Sequence, residues 1–130
     1  MTTQSQENIG IVLNKRYGGF SLSYKGIHLY NSLSGKNLQF YECGSIERHD
    51  PLLIEVIKTL GIESFGNSAK LDIEYIPLEM KDFYHIDEYD GFETLILLKE
   101  LQMISKIREI KESTILNDRE KLSLIFEILE

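Results

Sequence analysis

Apolar residues recur in three rhythms along this chain. Near its start, Ile9, Ile11, Val12 and Leu13 form a short, almost continuous run, which predicts a strand over 9–15. Leu22, Ile27, Leu29, Tyr30 and Leu33 follow at helical spacing and predict a helix over 22–33, entered through Gly18-Gly19. Ser21 or Ser23 can cap it, and Ser34-Gly35 ends it. Gly26 weakens this helix by about 1 kcal/mol relative to Ala. Leu38 to Glu42 reads as a short strand or an extended linker. Leu52, Leu53, Val56, Ile57 and Leu60 repeat the helical rhythm over 51–60. Asp50 stands there as N-cap, Pro51 as first helical residue and Gly61 as C-cap.

The rhythm then changes to alternation. Leu71, Ile73 and Tyr75 interleave with Asp72 and Glu74, which predicts a strand over 70–76 with one buried face, bounded by Pro77. Apolar runs at 83–86 and 92–97 flank Asp90-Gly91, a dipeptide that favours a tight hairpin turn. From Leu98 onward Leu101, Ile104, Ile107 and Ile110 mark one amphipathic helix. Leu122, Ile125, Phe126 and Leu129 mark a second, with Asn117-Asp118 as its start. The fold class expected is therefore α+β: one small, at least partly antiparallel sheet covered by two helices, with a C-terminal helix pair. The chain divides into a disordered tail over 1–8, a core over 9–97 and a helical extension over 98–130.

Length and charge sharpen this picture. The 130 residues suit one domain, and 42% hydrophobic with 27% charged residues is globular composition. The formal net charge is −7, almost all of it in the middle of the chain. Residues 1–61 carry six Lys/Arg against five Asp/Glu, residues 62–97 two against nine, and residues 98–130 six against seven. Such a balance repels phosphate backbones, and nucleic-acid binding through Lys15, Arg16, Lys25 and Lys36 would need those residues on one face. No apolar run reaches the roughly 18 residues of a membrane span, and the start lacks the basic and apolar regions of a secretion signal. A single cysteine, Cys43, permits no internal disulfide and fits a reducing compartment. The expected location is intracellular, neither secreted nor membrane-spanning.

Residues 16–93 resemble a family of small proteins scattered through giant DNA viruses of amoebae (mimivirus, megavirus and marseillevirus relatives), phages and some cellular organisms. The matching pieces are Arg16-Tyr-Gly-Gly-Phe20 with Leu22-Ser23, Asp50-Pro51 with Leu53, Leu60-Gly61, Ile76-Pro77, and Ile86 with Glu88-Tyr-Asp-Gly91 and Glu93. The chain departs from the family pattern after Leu60-Gly61, where Ile-Glu-Ser-Phe65-Gly66 replaces the usual small-residue spacing. The resemblance implies an intracellular viral protein, and it transfers no catalytic residue.

Candidate chemistry is sparse. Asp82, Asp87, Glu88, Asp90 and Glu93 form the densest carboxylate cluster, but their spacing matches no calcium loop, and turns favour Asp for its own backbone hydrogen bonds. A hydrolase would use Asp90 and Glu93 as acid and base, with their pKa values driven apart. His28, His49 and His85 lack metal-helix spacing. Cys43 reads as a small buried hydrophobe, with only His49 near enough in sequence to activate it. The remaining constellation joins Arg16, Tyr17, Arg48, Asp50, Asp90 and Glu93, in which Arg16 or Arg48 bridges Asp90 or Glu93. Bridged arginines leave little chemistry to perform. The sequence thus points to a non-enzymatic interaction or structural module without metal or cofactor. The alternative is a small hydrolase or ligand-binding enzyme built on 87–93 with Arg16 or Arg48. The apolar faces after Leu98 call for burial, by docking on the core or by a homodimer through 98–130.

Overall fold

The computed structural model describes residues 7–129. Its elements in chain order are β1 (Asn8–Asn14), α1 (Tyr24–Ser34), α2 (Pro51–Leu60), β2 (Leu71–Pro77), β3 (Tyr84–Tyr89), β4 (Phe92–Leu97), α3 (Lys99–Glu112) and α4 (Asp118–Leu129). Single 3₁₀ turns at Phe40–Ser45, Gly61–Ser64 and Leu78–Met80 connect them. The fold class is α+β, as the hydrophobic rhythms predict. Among the described residues no helix is long and apolar enough to cross a membrane.

β1 is the centre of the molecule. Ile11, Val12 and Leu13 are all fully buried, so both faces of the strand are covered. This explains why its sequence is a continuous apolar run rather than an alternation. Val12 faces a cluster built with Tyr30 of α1 and Leu53 and Val56 of α2. Ile11 and Leu13 face a second cluster with Ile76, Met80, Ile86 and Leu95. Burying each such side chain stabilises the fold by about 1.5–3 kcal/mol.

The expected single sheet is instead two ladders. β1 pairs antiparallel with β2, from Asn8 opposite Pro77 to Asn14 opposite Leu71. β3 pairs only with β4, from Tyr84 opposite Leu97 to Tyr89 opposite Phe92. The expected pairing between 70–76 and 83–97 does not form. Pro77 offers no N–H to a further ladder, and Met80 anchors the Leu78–Met80 turn in the second cluster. The chain therefore crosses the sheet, and the hairpin packs face-on against β1.

Local capping follows the residues. Ser23, rather than Ser21, caps α1 by accepting from the Gly26 N–H at 3.0 Å. Asp50 caps α2 by accepting from Leu52 N–H at 2.9 Å. The segment read as a strand or linker after Leu38 is a 3₁₀ turn, because Gln39 and Glu42 form a reciprocal capping box around Phe40–Ser45. Of the expected tail, residues 1–6 lie outside the described residues, whereas Asn8 already belongs to β1 and the Glu7 carbonyl accepts from Leu78 N–H. α3 and α4 pack on each other but bury none of their described residues. Full docking of these helices on their own core is thus not the arrangement found.

Candidate functional site

Arg48 lies in the loop entering α2, and its own carbonyl accepts from Val12 N–H at 2.8 Å. Its guanidinium is laid over the Phe20 ring, 3.7 Å from the centroid. From there Nη1 donates to Glu93 Oε1 at 2.6 Å and Nη2 to Glu93 Oε2 at 2.9 Å. Nη1 also reaches the Val12 carbonyl at 3.2 Å. Glu93 sits on β4, 5% exposed, and its Oε1 accepts a further bond from Asn14 N–H at 2.8 Å. The planar fork of arginine matches a carboxylate in two bonds, which makes this a charge-assisted, geometrically fixed pair.

Asn14 completes the junction. Its amide donates to the carbonyls of Arg16 and Gly91, both at 2.7 Å, and its side-chain oxygen accepts from Lys70 N–H at 2.9 Å. Lys15 Nζ donates to the Glu93 carbonyl at 3.0 Å and pairs with Glu74 at 3.3 Å. The tip of the hairpin closes the arrangement: Gly18 N–H donates to the Asp90 carbonyl at 3.1 Å. A Cβ at Gly91 would fall 2.2 Å from the Gly19 nitrogen. Gly18-Gly19 and Asp90-Gly91 are therefore two turns in direct backbone contact.

Of the six residues read as one constellation, Arg48 and Glu93 meet. The bridge comes from Arg48, not Arg16, and it ends on Glu93, not Asp90. Arg16 contributes only its carbonyl to this junction and is exposed. Tyr17 is exposed and tilted against Phe92 at 5.7 Å. Asp90 holds the turn at φ 52 with its side chain exposed. Asp50 belongs elsewhere: besides capping α2 it accepts from the Tyr30 hydroxyl at 2.6 Å. Burial, followed by that hydrogen bond and the Asp50 charge, pushes the Tyr30 phenol up to about 12.

A second polar chain escaped sequence reasoning. His49 Nδ1 lies 2.7 Å from the Tyr84 hydroxyl, and Nε2 lies 2.8 Å from Glu47. Burial, then the Glu47 charge, raises the Tyr84 pKa, with Asp82 adding to this and Arg48 opposing it. The phenol is thus held protonated, the opposite of an activated nucleophile. With Nε2–H donated to Glu47, Nδ1 accepts from Tyr84, and every group in the chain is matched. Asn14 was likewise missed, since its partners Gly91 and Lys70 lie 77 and 56 positions away.

The arrangement therefore ties segments together. The carboxylate that a hydrolase would need as acid or base is bound by two guanidinium bonds and a backbone N–H. Asp82, Asp87, Glu88 and Asp90 are exposed, and among the described residues no three His, Cys, Asp or Glu side chains are grouped so as to hold a metal ion. Comparison with protein-family models, curated proteins and solved structures gave no match.

Proposed function

We propose that this chain is a non-enzymatic, self-associating interaction or structural module, working as a homodimer inside the cell. The viral origin implied by the resemblance of residues 16–93 belongs to the same reading. The observation that carries it is the state of the C-terminal helices. Leu101, Ile104, Leu122, Phe126 and Leu129 all lie at the surface, Phe126 with 62% of its area exposed. Exposed apolar side chains gathered on one helix pair support an interaction surface there. A second copy suits it by charge. Residues 98–130 hold six basic against seven acidic side chains, whereas the rest of the chain holds eight against fourteen. Two acidic molecules repel least where each is nearly neutral.

The hydrolase alternative needs Glu93 free, and Glu93 is committed to Arg48. Nucleic-acid binding through Lys15, Arg16, Lys25 and Lys36 loses Lys15 to Glu74 and Lys25 to Glu63, which leaves the exposed Arg16 and Lys36 on an acidic chain. Light scattering on the full chain tests the reading. The expected mass is twice the 15.1 kDa of one chain, falling to one chain mass for Ile104→Glu and Phe126→Glu, whose exposed positions leave the fold intact. A mass of one chain at every concentration overturns it.

A further inference from the structure

At the opposite end of the sequence from the helical patch, three aromatic side chains stand together on the surface. Tyr24, the first residue of α1, lies 4.8 Å from Phe40, and Phe40 meets Tyr41 edge-on at 5.6 Å. Tyr24 and Tyr41 are each 73% exposed. Beside them is a cleft of about 370 Å³, lined by Ser21, Ser23, Tyr24, Phe40, Phe65 and Asn67. That volume is within the range of small-ligand and peptide sites. We propose that this cleft binds an extended, proline-rich peptide segment carrying basic residues.

Three features favour that occupant. The walls are preorganised: Ser23 N–H donates to the Ser64 carbonyl at 2.9 Å and Gly66 N–H to the Ser21 carbonyl at 3.0 Å, a short antiparallel bridge between Leu22 and Phe65. Gly66 permits this approach, since a Cβ there would fall 2.0 Å from Ser21 Oγ. A rigid cleft loses little entropy on binding. Next, a polyproline II segment has no internal hydrogen bonds, so its carbonyls need outside donors while its rings need flat apolar partners. Here Tyr24, Tyr41 and Asn67, all exposed, carry such donors, and the rings of Tyr24, Phe40 and Tyr41 meet in tilted and edge-on contacts that leave faces open. Finally, the charge favours a cation. Lys25 and Glu63 neutralise each other at 3.3 Å, Glu42 is exposed next to Tyr41, and the whole chain carries −7. The same charge opposes a nucleobase stack, whose phosphates it would repel.

The test is an NMR titration of the full ¹⁵N-labelled chain with a polyproline peptide bearing arginines at both ends. A glycine-serine peptide of equal charge is the control. Shifts confined to residues 21–24, 40–41 and 65–67, and affinity at least about tenfold above the control, are the expected result. Tyr24→Ala and Tyr41→Ala each weaken binding by about tenfold, and Tyr89→Ala, an exposed tyrosine on the hairpin, leaves it unchanged. Equal affinity for the two peptides, or shifts elsewhere on the surface, overturns the proposal. So does broadening of the cleft resonances with protein concentration alone, which would place a second copy there.

Discussion

Tyr30 shows how a single residue reads differently in sequence and in structure. The helical rhythm marks it as a core side chain, and it is fully buried. What the rhythm does not carry is its hydroxyl bond to Asp50, because the partner lies 20 positions away on another element. Burial, together with that contact, has a measurable consequence at high pH. The unfolded tyrosine loses its proton near 10, whereas the folded one holds it up to about 12. Between those values the unfolded state binds fewer protons, so stability falls as pH rises. Its contribution is complete below pH 10 and amounts to roughly 2–3 kcal/mol lost by pH 12. Denaturation of wild type and Tyr30→Phe across this range should show the steeper decline only in wild type. Parallel slopes would deny that the fold holds the Tyr30 proton beyond the ordinary tyrosine range. Glu93 is the complementary case: a bridge from an arginine to this region was expected from charge alone, but not which arginine would close it.

At the scale of elements, legibility follows locality. Every signal for α2 lies within it or one residue outside, and the observed bounds, Pro51–Leu60, match the expected ones. The hairpin is equally local, with Asp90 at φ 52 and Gly91 at φ 91, as a type I′ turn requires. The sequence marks Gly26 only as a helix weakener. In the fold its missing side chain lets the Ser64 carbonyl approach, 3.1 Å from where a Cβ would stand. Strand pairing was the least legible feature. Alternation marks which residues of a strand face a core, but not whether the next strand joins its edge or covers its face. Two glycines separate strain from contact in the turns. Gly19→Ala meets open space and carries only backbone strain at φ 102, a cost of about 1 kcal/mol. Gly91→Ala adds a collision with the Gly19 nitrogen and should cost about 3 kcal/mol or more by urea denaturation. Equal costs would mean that the two turns are not in contact.

For the whole molecule, one junction holds three layers together. Arg48 belongs to the helical side, Asn14 to the central ladder and Glu93 to the hairpin, and Arg48 and Asn14 both bond to the Glu93 carboxylate. The charged residues that most resemble an active site tie the fold together, and the exposed apolar side chains lie elsewhere, on α3 and α4 and around Tyr24. A catalytic pair and a structural tie differ in what their removal does to stability. Taking one partner from a buried ion pair strands the other and costs about 3–5 kcal/mol, whereas neutral replacements of both leave no stranded charge. The decisive measurement is a double-mutant cycle by equilibrium denaturation at fixed protein concentration, using Arg48→Met, Glu93→Gln and the double variant. The account predicts single-variant losses of about 3 kcal/mol or more and a double variant well short of their sum. Single variants as stable as wild type would contradict it, and would return Arg48 and Glu93 to the search for an activity.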